Sequence, residues 1–156
     1  MSEHNPRYAY EDLIEGAEIE LGPYHVTAEE IIEFAREFDP QPFHLDEAAG
    51  KASILGGLAA SGWHTTGMFM RMLCDAFLLD STSQGAPSVE FGRWRRPVLA
   101  GDTLSGKSTV INRRVSRSKQ NLGFVTTHHA IFNQHGDMVA EFQNVGMFSL
   151  REAGAQ

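Results

Sequence analysis

The sequence predicts an α+β fold in which one long helix is wrapped by a curved antiparallel β-sheet. Three observations predict it: an amphipathic helix near the N-terminus, an apolar central segment at 62–79, and four strand-like segments after residue 88. Because helices and strands are segregated instead of alternating as βαβ units, an antiparallel sheet is favoured. With 156 residues, 42% of them hydrophobic, we expect a single domain spanning 1–156.

The first elements are a strand and a helix. Residues 1–12 are polar, and we expect them to be frayed. Glu18–Val26 alternates in polarity around a Gly-Pro pair, which predicts a bulged first strand. Thr27 and Glu30 have the spacing of a capping box. Apolar residues then recur at helical spacing, so we expect a helix over 28–38, ended by Pro40.

The middle of the chain predicts a connector, a short helix and the central helix. Asp39–His44 is a connector stiffened by two prolines, and Asp46–Ala52 has the composition of a short helix. From about Gly62 to Leu79 apolar residues occur on nearly every side, so we expect this helix to be buried on most faces. His, Arg and Asp residues interrupt the segment, and the cost of burying them in lipid argues against a membrane span.

The last part of the chain predicts four antiparallel strands. A Ser-, Gly- and Pro-containing loop at 80–88 precedes them, and His135-Gly136-Asp137 is typical of a hairpin turn. The strands are expected at Val89–Arg96, Thr103–Val115, Leu122–Asn133 and Met138–Leu150. Residues 151–156 are expected to form a tail.

Overall charge disfavours polyanionic partners. Thirteen Lys and Arg against 20 Asp and Glu give a net charge of −7, so we expect neither nucleic acid nor a membrane surface as a partner. A single cysteine, Cys74, and an N-terminus without an apolar leader favour a reducing, cytoplasmic compartment.

One segment is basic. From Arg93 to Lys119 there are eight basic residues and one acid, Asp102, so this segment carries +7 and the remainder −14. It is either a solvated strand face or a site for a phosphate-bearing small molecule. The candidate phosphate-binding residues are Arg93, Arg95, Arg96, Arg113 and Arg114.

Two clusters have the residue types for catalysis. Asp39 and His44 lie five residues apart, where an imidazole can move a proton and a carboxylate can orient a water. The same pair is also compatible with a helix-ending aspartate and a surface histidine. Ser61, Gly62 and Trp63 begin the central helix, where free amides suit a developing oxyanion. A Ser61–His64 hydrolase dyad is disfavoured because no nucleophile elbow surrounds the serine.

The run Phe34–Ala49, with Asp39, Pro40 and His44 in order, resembles the hydratase motif of the MaoC-like dehydratases, the (R)-specific enoyl-CoA hydratase family. Gly62, eighteen residues beyond His44, matches the glycine that opens the family's central helix. Pro97-Val98 and Gly101–Leu104 resemble a further family stretch, so the likeness covers about residues 13–149.

The resemblance implies a hot-dog fold and the reversible hydration of a trans-2-enoyl-CoA to a (3R)-hydroxyacyl-CoA in fatty acid metabolism. It implies that Asp39 and His44 activate the water and that the Gly62 amide stabilises the enolate, with Ser61 and Trp63 contacting substrate. No metal and no cofactor are implied, since the CoA thioester is the substrate. A homodimer or higher homo-oligomer is expected.

The chain also departs from the family pattern. Phe38 precedes Asp39 where a glycine is usual and is expected to raise the aspartate pKa; Gln41 replaces an asparagine, and Ser61 replaces a histidine. Two alternatives stay open: a hot-dog acyl-CoA thioesterase, and a non-catalytic acyl-CoA-binding subunit. The thioesterase needs a carboxylate on the central helix, and Asp75 lies about three turns beyond Gly62, too far for direct contact.

Overall fold

A five-stranded sheet and one long helix form the centre of the computed structural model, which describes residues 4–151. The strands are β1 (Glu18–His25), β2 (Ser88–Trp94), β3 (Thr103–Val115), β4 (Leu122–Phe132) and β5 (Met138–Ser149). The helices are α1 (Ala28–Phe38), α2 (Pro42–Leu45), α3 (Glu47–Ala52) and α4 (Gly62–Ala76), with 3-10 turns at Tyr10–Asp12 and Leu78–Asp80.

The sheet has the strand order β1-β3-β4-β5-β2, and every neighbouring pair is antiparallel. The predicted α+β class is therefore confirmed, with strand ends within one or two residues of those expected. The bulge in β1 lies where the register shifts between Leu21 and Tyr24. Gly22 has a φ of +87°, and a Cβ there would lie 2.7 Å from the Leu104 carbonyl oxygen, so only glycine fits.

Helix α4 packs against one face of the sheet. The Phe69 ring stacks on Phe142 of β5, with 4.9 Å between the ring centres. The expected end at Leu79 is wrong, because Phe77 has a φ of −155° and places its buried ring against Phe148. Burial on most faces is also wrong for one side: Trp63 and Met70 are 68% and 45% exposed where α4 passes the edge strand β2.

Helix α1 has the predicted bounds, and local interactions set them. The Thr27 hydroxyl accepts from the Glu30 amide at 3.2 Å, and the Asp39 amide donates to the Ala35 carbonyl at 2.9 Å before Pro40. The second half of the predicted capping box is absent. The Glu30 carboxylate instead accepts from the Tyr24 hydroxyl and, at 3.0 Å, from His64 Nε2.

The expectation of a frayed N-terminus is wrong for residues 8–12. Tyr10 is 5% exposed and packs against Gly123, while Arg113 donates to its carbonyl oxygen at 2.6 Å. At the other end, Arg151 is held by Asp12 at 2.7 Å. The rest of the expected tail, 152–156, and residues 1–3 lie outside the described residues.

Candidate active site

Asp39 and His44 meet at the junction of α1 and α2. Asp39 is the C-terminal cap of α1, and His44 lies on α2, a helix of four residues that begins at Pro42. Proline suits the first helical position because its missing N–H would have no intrahelical acceptor there. His44 Nε2 lies 3.3 Å from Asp39 Oδ2, so the two residue types predicted as an acid/base pair are in contact.

The His44 ring is buried and has a defined orientation. Its Nδ1 lies 2.6 Å from the Ala59 carbonyl oxygen. A carbonyl oxygen only accepts, so Nδ1 carries a hydrogen, and in the neutral imidazole Nε2 has a lone pair. Nε2 and Asp39 Oδ2 are then two hydrogen-bond acceptors that face each other.

Neighbouring donors stabilise the Asp39 carboxylate. Burial raises the pKa of Asp39, but the neighbouring Ser61 hydroxyl and Gln41 amide hold it below its usual value. Gln41 Nε2 donates to Asp39 Oδ1 at 2.7 Å. The expectation that Phe38 raises this pKa is wrong, because the Phe38 ring is 66% exposed and packs against Phe34.

Ser61 and Gly62 form the beginning of α4 beside this pair. The Ser61 hydroxyl is fully buried beside the Asp39 carboxylate, and within residues 4–151 its Oγ makes no hydrogen bond of ordinary geometry. Gly62 is the first residue of α4, so its N–H has no intrahelical acceptor. A Cβ on Gly62 would lie 2.6 Å from Trp94 Cδ2, which shows that the indole closes directly over this residue.

A cavity of about 300 Å³ is lined by two of these groups, His44 and Gly62. Its lining also includes Thr65, Trp94, Arg95 and Arg96. The Trp94 indole donates to the Thr66 hydroxyl at 3.1 Å and meets Trp63 edge-on at 5.0 Å. Trp63 itself lies in an adjoining groove along α4.

The five arginines predicted to bind phosphate are not brought together. Arg95 and Arg96 line the cavity, and Arg95 Nε donates to Glu141 at 3.0 Å. Arg93 lies 3.5 Å from the same carboxylate, outside the cavity.

Arg113 and Arg114 lie elsewhere. They are at the far end of β3, about 30 Å from Thr103 at strand spacing. Arg113 covers Tyr10 and Arg114 covers Phe124, so both contact rings of the fold instead of the cavity.

Two polar chains of hydrogen-bonded side chains in the protein interior were not predicted from the sequence. One joins Tyr24, Glu30 and His64; burial and the Glu30 charge raise the pKa of Tyr24 to about 12. The other links β3, β4 and β5 through Ser108, His129 and Asn144. Their first and last members are 40 and 36 residues apart, and local periodicity carries no information on such pairings.

Within residues 4–151 no group of three or more His, Cys, Asp or Glu side chains could hold a metal ion. None of the helices in the described part of the chain is long and apolar enough to cross a membrane.

Comparison with known proteins identifies the family. A family profile described as "MaoC like domain" matches residues 14–131, three quarters of the chain. The chain belongs to the MaoC-like dehydratase family. A MaoC-like dehydratase from Rhodospirillum rubrum is 36% identical, with 92% of this chain and 98% of that chain covered and a TM-score of 0.82.

Other relatives extend the comparison. A structure from Archaeoglobus fulgius described as a monoamine oxidase regulatory protein is 25% identical over 96% of this chain and 99% of that one, with a TM-score of 0.83. An uncharacterised Bacillus subtilis protein, YdeM, is 26% identical over 109 residues, 70% of this chain and 76% of that protein. An (R)-hydratase from Pseudomonas aeruginosa, 20% identical, covers 95% of this chain and 93% of its own with a TM-score of 0.68, and shares the fold. The predicted hot-dog fold is confirmed.

Proposed function

We propose that this MaoC-like protein catalyses the reversible hydration of a trans-2-enoyl-CoA to a (3R)-3-hydroxyacyl-CoA. One observation carries the proposal: Asp39 Oδ2 and His44 Nε2 face each other at 3.3 Å beside the free N–H of Gly62. The (R)-hydratases of Pseudomonas aeruginosa and A. caviae have the same fold and are named for this class of reaction.

The facing acceptors define a place for the attacking water. A water that donates one hydrogen to His44 Nε2 and one to Asp39 Oδ2 satisfies both, and its oxygen is then free to attack. As the oxygen–Cβ bond forms, one O–H bond of the water breaks and its proton passes to the pair. The π electrons of the C=C bond move toward the thioester carbonyl. The Asp39–His44 pair then returns a proton to Cα. Water and alkene atoms are conserved in the product.

Gly62 stabilises the charge that this addition creates. Negative charge grows on the thioester oxygen as the enolate forms, and the N–H at the positive end of α4 donates to that oxygen. One such donor contributes about 100- to 1,000-fold to kcat. The buried Ser61 hydroxyl supports the same site by keeping Asp39 ionised, and it has a free hydrogen-bonding capacity for substrate or water.

Arg95 and Arg96 are proposed to bind the CoA phosphates. They line the same cavity as His44, whereas the protein as a whole is acidic, with a net charge of −7. Because the phosphates are remote from the bonds that change, Arg96→Ala should raise KM more than it lowers kcat. Arg114→Ala removes an equal charge at the far end of β3 and is the matched control. Equal KM values for both variants would contradict the role of Arg96.

We further propose that the protein acts as a cytoplasmic homodimer or higher homo-oligomer, without a cofactor. Six of the seven residues of the edge strand β2 are exposed, and Val89 and Trp63 beside it are each 68% exposed. Apolar side chains at an unpaired sheet edge favour a second copy on this side. Light scattering after gel filtration should give at least twice the 17.3 kDa chain mass, and Val89→Glu should lower it.

The two alternative functions, a thioesterase and a non-catalytic acyl-CoA-binding subunit, have less support from the arrangement of the site. A thioesterase would use a carboxylate facing the cavity from α4, but Asp75 is solvent-exposed near the end of that helix and pairs with Arg71 at 3.1 Å. A non-catalytic acyl-CoA-binding subunit has no need for a carboxylate and an imidazole in contact. Hydration is therefore the function that this arrangement supports best.

The test uses Asp39→Asn, His44→Ala and the double variant with crotonyl-CoA, following loss of the ultraviolet absorbance of the conjugated thioester. Each single variant should lose at least about 100-fold in kcat, and the double variant should be little worse, because both groups handle one water. Glu37→Gln, on the exposed face of α1, is the control. Near wild-type turnover by either single variant would contradict the assignment.

A further inference from the structure

Three adjacent strands carry a buried polar chain that the proposed chemistry does not use. Ser108 on β3 and His129 on β4 are each 1% exposed, and Ser108 Oγ lies 2.7 Å from His129 Nδ1. His129 Nε2 lies 2.8 Å from Oδ1 of Asn144 on β5. Phe69 of α4 packs on the His129 ring at 4.7 Å.

The chemistry of the partners fixes which atoms of this polar chain donate and which accept. Asn144 Oδ1 only accepts, so His129 Nε2 carries the hydrogen. Burial lowers the pKa of His129 to about 4, so the ring is neutral at pH 7 and Nδ1 accepts from the Ser108 hydroxyl. With its oxygen committed to His129, Asn144 is left with the two N–H donors of Nδ2, and no residue within 4–151 accepts from them.

Asn144 lines two largely apolar spaces. Asn144 lines a groove of about 760 Å³ between α4 and β2, together with Phe69, Met70 and Phe142. It also lines a smaller cavity of about 130 Å³ that shares Phe69 and Met70. The groove has no Lys or Arg in its lining, so Asn144 is one of its few polar groups.

The groove adjoins the candidate active site at one side chain. Both the groove and the cavity that contains His44 are lined by Trp94. From Gly62 to Phe69, which lies beside Asn144, α4 rises seven residues, or about 10 Å. A medium-length acyl chain whose thioester oxygen is at Gly62 can therefore reach Asn144.

We propose that Asn144 is a specificity-determining residue, and that its Nδ2 donates to an uncharged oxygen on the acyl chain of the substrate. The inference rests on the proposed function and names its substrate class: medium-length enoyl thioesters with a ketone, ester or ether oxygen partway along the chain. A carboxylate does not fit, because the groove offers no cation to offset the loss of its hydration. A plain alkyl chain leaves the Asn144 donors unpaired in apolar surroundings.

The experiment measures kcat/KM for enoyl-CoAs of equal length, one plain and the others with a ketone at successive positions. Val89 and Trp63, the exposed side chains inferred to face a second copy, also line this groove, so the assay uses the native assembly, in which the second copy would form the outer wall of the groove. We expect one ketone position to be preferred over the plain chain by about tenfold, the effect of one hydrogen bond. Asn144→Leu should bring the ratio of kcat/KM between the preferred ketone and the plain chain to about one.

Two further variants keep the test decisive. Asn144→Asp retains an oxygen for His129 and removes the amide donor, so it should lose the preference even if Asn144→Leu fails to fold. Met70→Leu changes the same groove at nearly constant volume and should keep the preference.

Hydration of all thioesters without a position preference, or a preference that survives Asn144→Asp, would overturn this assignment alone. Absence of hydration with every thioester, crotonyl-CoA included, would overturn the proposed function and the assignment with it.

Discussion

Replacing Gly62 with alanine separates the oxyanion role of this residue from its packing role. An alanine Cβ would lie 2.6 Å from Trp94 Cδ2 and 2.9 Å from Cε3. Carbon atoms pack at about 3.5 Å or more, so the indole has to move away by about 1 Å. Trp94 is 48% exposed and can shift toward solvent, so the free energy of unfolding should fall by no more than about 1 kcal/mol, the low end for overpacking.

The catalytic effect should be much larger than the effect on stability. Trp94 lines the cavity together with Gly62, so moving the indole by about 1 Å changes the space that holds the thioester beside the Gly62 amide. A misplacement of that size is enough to lose an oxyanion hydrogen bond, which costs about 100- to 1,000-fold in kcat. The assay compares kcat for crotonyl-CoA with unfolding in urea, for Gly62→Ala alone and combined with Trp94→Ala. Removing the indole gives the methyl group room, so the combined variant should recover part of the lost activity.

Two results would refute this reasoning. A stable Gly62→Ala variant with the wild-type rate would show that the Gly62 amide does not contact the reacting thioester. A loss of activity that Trp94→Ala fails to relieve would show that contact with the indole is not the cause.

Three further predictions concern buried polar groups. Ser61→Ala should raise the pKa of Asp39, because the hydroxyl stabilises the carboxylate. The acid limb of the pH–rate profile should therefore move to higher pH, and an unmoved limb would contradict this role of Ser61. Burial lowers the pKa of His129 from 6.5 to about 4. As the pH falls, the His129 ring is therefore protonated in the unfolded chain before it is protonated in the folded protein. About 3 kcal/mol of stability, fully present above pH 6.5, is lost as the pH falls toward 4. Urea titrations should show a smaller loss for His129→Gln. Glu30→Ala should destabilise by about 1–3 kcal/mol because it leaves a buried histidine unpaired, whereas the exposed Glu33→Ala should change stability by less than about 0.5 kcal/mol.

Local interactions explain why the sequence predicted some elements well. Thr27 and Pro40 act on the few residues next to them, so both ends of α1 could be predicted. Asp39 and His44 are close in the chain and are joined by a short helix, so their contact could also be predicted. The end of α4 could not, because tertiary packing of Phe77 against the sheet decides it.

Long-range contacts explain the errors. Arg95 and Arg113 belong to one basic segment of the sequence, but β3 carries Arg113 to the far end of the sheet. Glu30 has the spacing of a capping box, yet Tyr24 and His64 compete for its carboxylate and bind it. The partners of His129 are on two other strands, and only the strand register brings them together.

Addition of water across a conjugated thioester is the reaction proposed for Asp39 and His44. The most direct measurement incubates the purified protein with trans-2-enoyl-CoAs of increasing length, follows the ultraviolet absorbance of the conjugated thioester, and analyses the product for configuration and for free CoA. We predict loss of absorbance with formation of the (3R)-3-hydroxyacyl-CoA and no release of free CoA. Unchanged absorbance with every chain length, or release of free CoA in place of hydration, would contradict it.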